Sequence, residues 1–297
     1  ALHLSRVYRS ADYGSFLKCL LGSRAAQIFD GLISFFLLGT LGIMLSAAGA
    51  VFAEHLGWPS QIGVALLSLG IGLVLISRVQ GVFWLNTILM PAKFILVLIV
   101  GGLILLSTGF PLAGSSDAAL LYAEPITQSW YLASLLYVAY NLILGLAVLT
   151  SLGAADLHPN LSRAGIWGGL GLGVFAGIIV DVLADNWPAV TEYQVPMLFL
   201  AGQVHPGIDF VYTLVLGMGI LTTGVACAYS LTVRVQHWFK RSYNTTLLLV
   251  LILALPLAPL GFARLVHVVY PLFGLAGIIL LACLAWRTVD SLFESSH

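Results

Sequence analysis

Charge is the scarcest commodity in this chain. Only 8% of its 297 residues are Asp, Glu, Lys or Arg, while 60% are hydrophobic. A water-soluble domain of this length needs a more polar surface, so composition excludes one. The 12 basic and 12 acidic residues balance, which leaves no electrostatic footprint for nucleic acid. Cysteine is sparse too. Cys19, Cys227 and Cys283 have neither metal-site nor disulfide spacing, and the last two read as small packing residues. No His-Glu-x-x-His, Gly-x-Ser-x-Gly or pair of intramembrane aspartates occurs, so an enzyme is not expected and no organic cofactor is implied. A cleavable signal peptide is not visible either, and strand-type alternation is missing.

What the chain does have is eight long apolar runs, at 31–53, 61–77, 82–106, 129–154, 164–182, 210–233, 245–263 and 265–286. Most approach the ~20 residues that a helix needs to cross a hydrocarbon core. Backbone groups in lipid must be satisfied internally, so the runs are predicted to be helices and the fold all-α, integral to the bilayer. Orientation follows from the basic residues. With the N-terminus inside, Arg6, Arg9, Lys18, Arg24, Arg78, Arg163, Arg234, Lys240, Arg241 and Arg287 fall on the inner side, ten of twelve. Arg264 falls outside and Lys93 lies within the third run. All seven Trp residues lie near run ends, as an aromatic belt would. Both termini are predicted to be cytoplasmic.

Residues 2–21 read as the inner end of an earlier helix followed by a linker, which makes the chain look truncated at its N-terminus. The longer outer connections are 107–128 and 183–209. Within the second, 193–204 reads either as a short interfacial helix or as an ordered loop. Asn160 and Asn244 open glycosylation-type tripeptides, but both fall on the inner side. Pro91 and Pro271 lie inside runs of opposite direction. A proline in a helix interior costs roughly 3 kcal/mol unless neighbours compensate, and paired breaks of this kind occur in inverted-repeat transporters.

Three segments carry a resemblance: the run from Phe36 to Glu54 followed by Leu-Gly-Trp-Pro, Asn86 with Pro91 in Asn-Thr-Ile-Leu-Met-Pro, and Ser-Leu-Leu-Tyr-Val-Ala-Tyr-Asn-Leu-Ile-Leu from Ser134. Together they resemble the YkvI family of bacterial membrane proteins, itself similar to the sodium-symporter and amino-acid-permease superfamily with the LeuT-type fold. The resemblance implies ten helices in two inverted repeats of five, of which the eight runs here match the third to the tenth. Residues 1–27 would then be the end of a truncated helix and a linker, 28–106 the last three helices of the first repeat, and 129–286 the second repeat. It also implies a bacterial inner-membrane location and alternating-access transport of a small polar or zwitterionic solute, such as an amino acid or amine, coupled to sodium or protons. Oligomeric state is left open.

Candidate site residues fall in three runs. In the fourth, Ser134, Tyr137 and Asn141 share a helix face, with Tyr140 beside them. By resemblance this helix opens the second repeat, whose interrupted middle faces the solute; the alternative is interhelical hydrogen bonding. In the sixth, Gly219, Thr222 and Thr223 stand at i, i+3 and i+4, a spacing that by resemblance matches a sodium site; a small-residue packing seam fits as well. Lys93, in the third run, lies about eleven residues, or ~16 Å, past Val82, too deep for easy snorkelling. By resemblance it occupies the helix on which some proton-coupled permeases carry a lysine in place of sodium. The expectation is that Lys93 points at Thr222 and Thr223 and replaces sodium, a reading that competes with the sodium site; structural pairing and shallow snorkelling are the alternatives.

Other polar residues get plainer readings. Asp30 is expected as an N-terminal acid favoured by the helix dipole, Asp181 as a solvated helix end, His267 as an interfacial histidine, and Asn86 as support for the bend at Pro91. The glycines of 165–177 read as a close-packing face. A channel, or a non-transporting structural subunit, remains the rival to a transporter.

Overall fold

The structure, a computed structural model, describes residues 13–77, 81–108, 129–154, 161–187 and 189–294. Every regular element among them is helical. In chain order these are α1 (Tyr13–Leu21), α2 (Ser23–Ala50), α3 (Ser60–Ile76), α4 (Gly81–Thr108), α5 (Trp130–Ala154), α6 (Leu161–Asp185), α7 (Pro196–Val204), α8 (Pro206–Phe239), α9 (Tyr243–Ala254) and α10 (Phe262–Glu294). Of the connection 107–128, residues 109–128 lie outside the described residues.

Among the described residues five helical segments are long and apolar enough to cross a bilayer: Ser23–His55, Gly165–Asp185, Pro206–Gln236, Tyr243–Leu260 and Phe262–Val289. Ser60–Ile76, Pro91–Leu106 and Trp130–Ile143 are apolar but shorter. All eight runs of the sequence therefore overlap helix, and among the described residues five of the segments are long and apolar enough for a span.

Local chemistry explains where the helices stop. α2 ends in a π-helical turn, Val51–His55, a rare device that is often found at functional sites. The seventh run does not continue to 263 as one helix. After Ala254 it tightens into the 3-10 turn Leu255–Leu260, because Pro256 and Pro259 have no N–H for an α-helical ladder. Gly261 then takes a φ of +87°, which turns the chain into α10. α8 starts further out than its apolar run. Pro206 occupies its first turn, and His205 Nδ1 accepts from the Gly207 N–H at 3.0 Å. Pro91 and Pro271, by contrast, sit inside helices that run on past them, so neither breaks its segment.

The chain divides into two compact units. One gathers the described residues of 1–36, 125–170 and 267–297, the other those of 37–124 and 171–266. In the first unit α1 packs on α5, and the core is aromatic. Phe36 is fully buried with its ring 4.3 Å from that of Phe273. In the second unit α8 is the hub, packing against α3, α4, α7 and α9. Val97, Val100, Ile104 and Leu105 of α4 meet Met197, Leu200 and Ala201 of α7 in its core. The short helix foreseen within 193–204 thus exists, but its apolar residues are buried in protein instead of lying in an interface.

Two further expectations change. α2 begins at Ser23, so Asp30 lies about two turns inside it, beyond the first turn where the helix dipole acts. Among the described residues the glycines of α6 do not form a packing face: a methyl on Gly165, Gly168, Gly169, Gly171, Gly173 or Gly177 would meet none of them within 4 Å.

Candidate functional site

α4 and α8 bring the third-run lysine to the sixth-run glycine. Lys93 extends from α4 so that its terminal atoms reach the backbone of α8. A Cβ built on Gly219 would fall 2.5 Å from both Cε and Nζ of Lys93. Only the missing side chain lets the ammonium come this close. Gly219 itself is buried.

The two threonines part company. Thr222 is buried and its Oγ1 donates to the Gly219 carbonyl at 3.1 Å, on its own helix. Thr223 faces the same cavity as Lys93 and Gly219. That cavity has a volume of about 340 Å³, inside the range of small-molecule sites. Apart from Lys93, Thr223 and Tyr212 its walls are chiefly hydrocarbon, with Leu96, Phe175 and Leu216 among them. Among the described residues no acidic side chain lines it and no carboxylate pairs with Lys93. Lys93 therefore ends against Gly219 with Thr223 nearby, while Thr222 spends its hydroxyl on the helix backbone.

The fourth-run residues lie in the other compact unit, on α5. This helix is unbroken over Trp130–Ala154, so the interruption implied by the family resemblance is missing here. Ser134 Oγ donates to Tyr131 O at 2.9 Å and Asn141 Nδ2 to Tyr137 O at 2.8 Å. Both polar side chains bond back to their own helix. Tyr140 stacks on Tyr270 at 4.5 Å and meets Phe36 edge-on, and Tyr137 meets Tyr140 edge-on at 5.4 Å. The Tyr-Asn motif thus serves an aromatic cluster with Phe36, Tyr270 and Phe273. The side chain of Asn86 lies outside the described residues. Asp181 and His267 are exposed.

Sequence reasoning missed a polar cluster in the second unit. Both carboxylate oxygens of Glu54 accept from the Gln194 N–H, at 3.1 and 3.0 Å. Gln194 Oε1 in turn accepts from the Phe262 N–H at 2.8 Å, capping α10 from 68 residues away. Next to Glu54, His55 Nε2 lies 3.3 Å from Asp209 Oδ2 and 3.1 Å from Thr213 Oγ1. A cavity of about 250 Å³ adjoins this cluster, with the stacked Tyr193 and Phe199 in its wall. The available signal was weak: polar residues just past an apolar run, and a Gln before Val-Pro.

The chain is similar along nearly its whole length to two proteins of Bacillus subtilis (strain 168). It is 28% identical to the uncharacterized membrane protein YkvI over 285 residues, covering 95% of this chain and 79% of that protein. It is 25% identical to the uncharacterized protein YyaD over 285 residues, covering 95% and 81%. No family model matches the chain, and no solved structure matches it. Helices long and apolar enough to cross a membrane, together with similarity to a membrane protein, make this a multi-pass membrane protein resembling YkvI.

Proposed function

We propose that the protein is a secondary transporter of the LeuT type, moving a small solute by alternating access, with the Lys93 cavity at its working centre. The observation that carries this reading is the meeting of Lys93 and Gly219 beside Thr223 in a cavity of about 340 Å³ between helices. An ionisable residue deep in an apolar span is a functional site by default, and solute sites in such carriers lie between helices near mid-bilayer. The ammonium stands against Gly219, where a coupling cation was expected. This favours proton coupling through Lys93 over a sodium ion on Gly219, Thr222 and Thr223. A single amine beside hydroxyls, with no acid–base partner, suits a carrier better than an enzyme. The solute suggested by resemblance is an amino acid or amine, and Ser134, Tyr137, Tyr140 and Asn141 are kept as a second lining only if α5 opens during transport. The bias of basic residues supports an inner-membrane orientation with both termini cytoplasmic.

Counterflow of labelled solute in proteoliposomes tests the reading. Trans-accelerated exchange that persists when choline replaces sodium, and is lost in Lys93→Met, supports a proton-coupled carrier. Exchange that needs sodium and is lost in Thr222→Val supports the sodium site instead. Flux without counterflow points to a channel, and no flux to a structural subunit.

A further inference from the structure

The polar inventory of the Lys93 cavity is one-sided. It offers, among the described residues, one ammonium and the hydroxyl groups of Thr223 and Tyr212, but no carboxylate. Among the described residues Lys93 has neither an ion-pair nor a hydrogen-bond partner. Lys93 is half-buried in an apolar span, where an ammonium without a counter-charge is disfavoured. A carboxylate offsets that cost best, through a charge-assisted hydrogen bond. The remaining wall is hydrocarbon and aromatic, which suits an apolar tail.

We propose that this cavity binds a small monocarboxylate, its head on Lys93 Nζ and its tail among Leu96, Phe175 and Leu216. At roughly 30 Å³ for each water-sized group, a volume of about 340 Å³ holds about ten heavy atoms. That is the size of a six- to eight-carbon acid. The absence of an acid from the wall also sets specificity. An amino acid of the same skeleton would bring a second ammonium beside Lys93 with no carboxylate to receive it, and like charges at short range repel. An amine without a carboxylate has only the repulsion. The order of affinity is therefore alkanoate, then amino acid, then alkylamine. As far as transport is concerned this rests on the carrier reading, with a monocarboxylate in place of the amino acid or amine suggested by resemblance, but binding itself does not depend on it.

Calorimetric titration of the full chain in nanodiscs, with hexanoate, leucine and hexylamine, tests the proposal. Hexanoate should bind about tenfold or more tighter than leucine, a difference of ~1.4 kcal/mol or more, and hexylamine should give no heat. Lys93→Met should weaken hexanoate by about tenfold or more, and Lys93→Arg should restore most of the affinity. Should Lys93→Met not fold, Leu216→Trp serves instead, and it should weaken hexanoate more than acetate. Equal affinity of Lys93→Met and the parent, equal loss for acetate and hexanoate in Leu216→Trp, or tighter binding of leucine or hexylamine overturns the proposal. Labelled-hexanoate uptake separates it from the carrier reading. Binding without flux leaves the site standing and removes the carrier, whereas amino-acid flux without hexanoate binding does the reverse.

Discussion

Lys93 ends where a side chain on Gly219 would begin: a methyl placed there lies 2.5 Å from the lysine's Cε and Nζ. The obstacle is the tip of a flexible chain, not backbone, so Gly219→Ala should displace Lys93 without unfolding α8. Alanine is also better than glycine in a helix by roughly 0.5–1 kcal/mol. The variant should melt within a few degrees of the parent while solute binding or uptake falls about tenfold. Unchanged binding in Gly219→Ala would show that the position of the ammonium does not matter.

Gly277→Ala should behave in the opposite way. Its Cβ would fall 2.5 Å from the Ala139 carbonyl oxygen and 2.7 Å from the carbonyl carbon. Backbone cannot rotate aside, so the helices must separate, at a cost typical of overpacking, about 1–3 kcal/mol. The melting temperature should drop clearly. Gly169→Ala, whose methyl meets nothing within 4 Å among the described residues, should be neutral or slightly stabilising. Comparing the two by thermal denaturation checks which glycines pack helices.

That contrast shows what hydropathy can and cannot reveal. The eight apolar runs marked every long helix, because in lipid the sequence period matters less than the sheer length of apolar chain. Ends were harder. The start of α2 at Ser23 lies in Ser-Arg-Ala-Ala-Gln, which is polar yet permissive for helix, and the stop at Ala254 depends on two prolines within an apolar run. Glycine pattern alone does not separate Gly277, which touches a neighbouring backbone, from Gly169, which has no close neighbour among the described residues. Lys93 stood out because an isolated charge in an apolar run is conspicuous, and its neighbour Gly219 was among the residues singled out. The aromatic packing of Tyr140 was not legible, since a Tyr-Asn pair reads equally as a polar site. Gln194 was invisible for a different reason. Its partners, Glu54 and Phe262, are 140 and 68 residues away.

Gln194 links the π-turn of α2 to the first turn of α10, and its removal should be felt locally. Gln194→Ala deletes the acceptor for the Phe262 N–H, while the backbone bond to Glu54 survives. The loss of one hydrogen bond of about 1 kcal/mol should speed amide exchange at Phe262 by about fivefold. The interior of α3 should keep its protection. Glu54→Gln should instead loosen 189–204, since it weakens the charge-assisted acceptor of the Gln194 N–H. Hydrogen-exchange mass spectrometry resolves the two patterns.

The pH dependence of binding follows from which form of Lys93 meets a carboxylate. Only the ammonium can donate to it and cancel its charge, so the bound state holds a proton on Lys93. If the free lysine loses that proton as pH rises, each binding event must then take one up, and affinity falls with increasing pH. At lower pH the dependence flattens once Lys93 is already protonated, until the acid itself becomes neutral and binding weakens again. Lys93→Arg should remove the alkaline fall, because a guanidinium stays charged throughout, and leave the acidic one. Replacing sodium with choline should change neither limb, since the Lys93 ammonium stands against Gly219, where the cation was expected. Titrations with hexanoate across the pH range, in both salts, read all of this directly. An alkaline limb that persists in Lys93→Arg would assign the proton to another group, and a sodium-dependent affinity would return the cation to Gly219, Thr222 and Thr223.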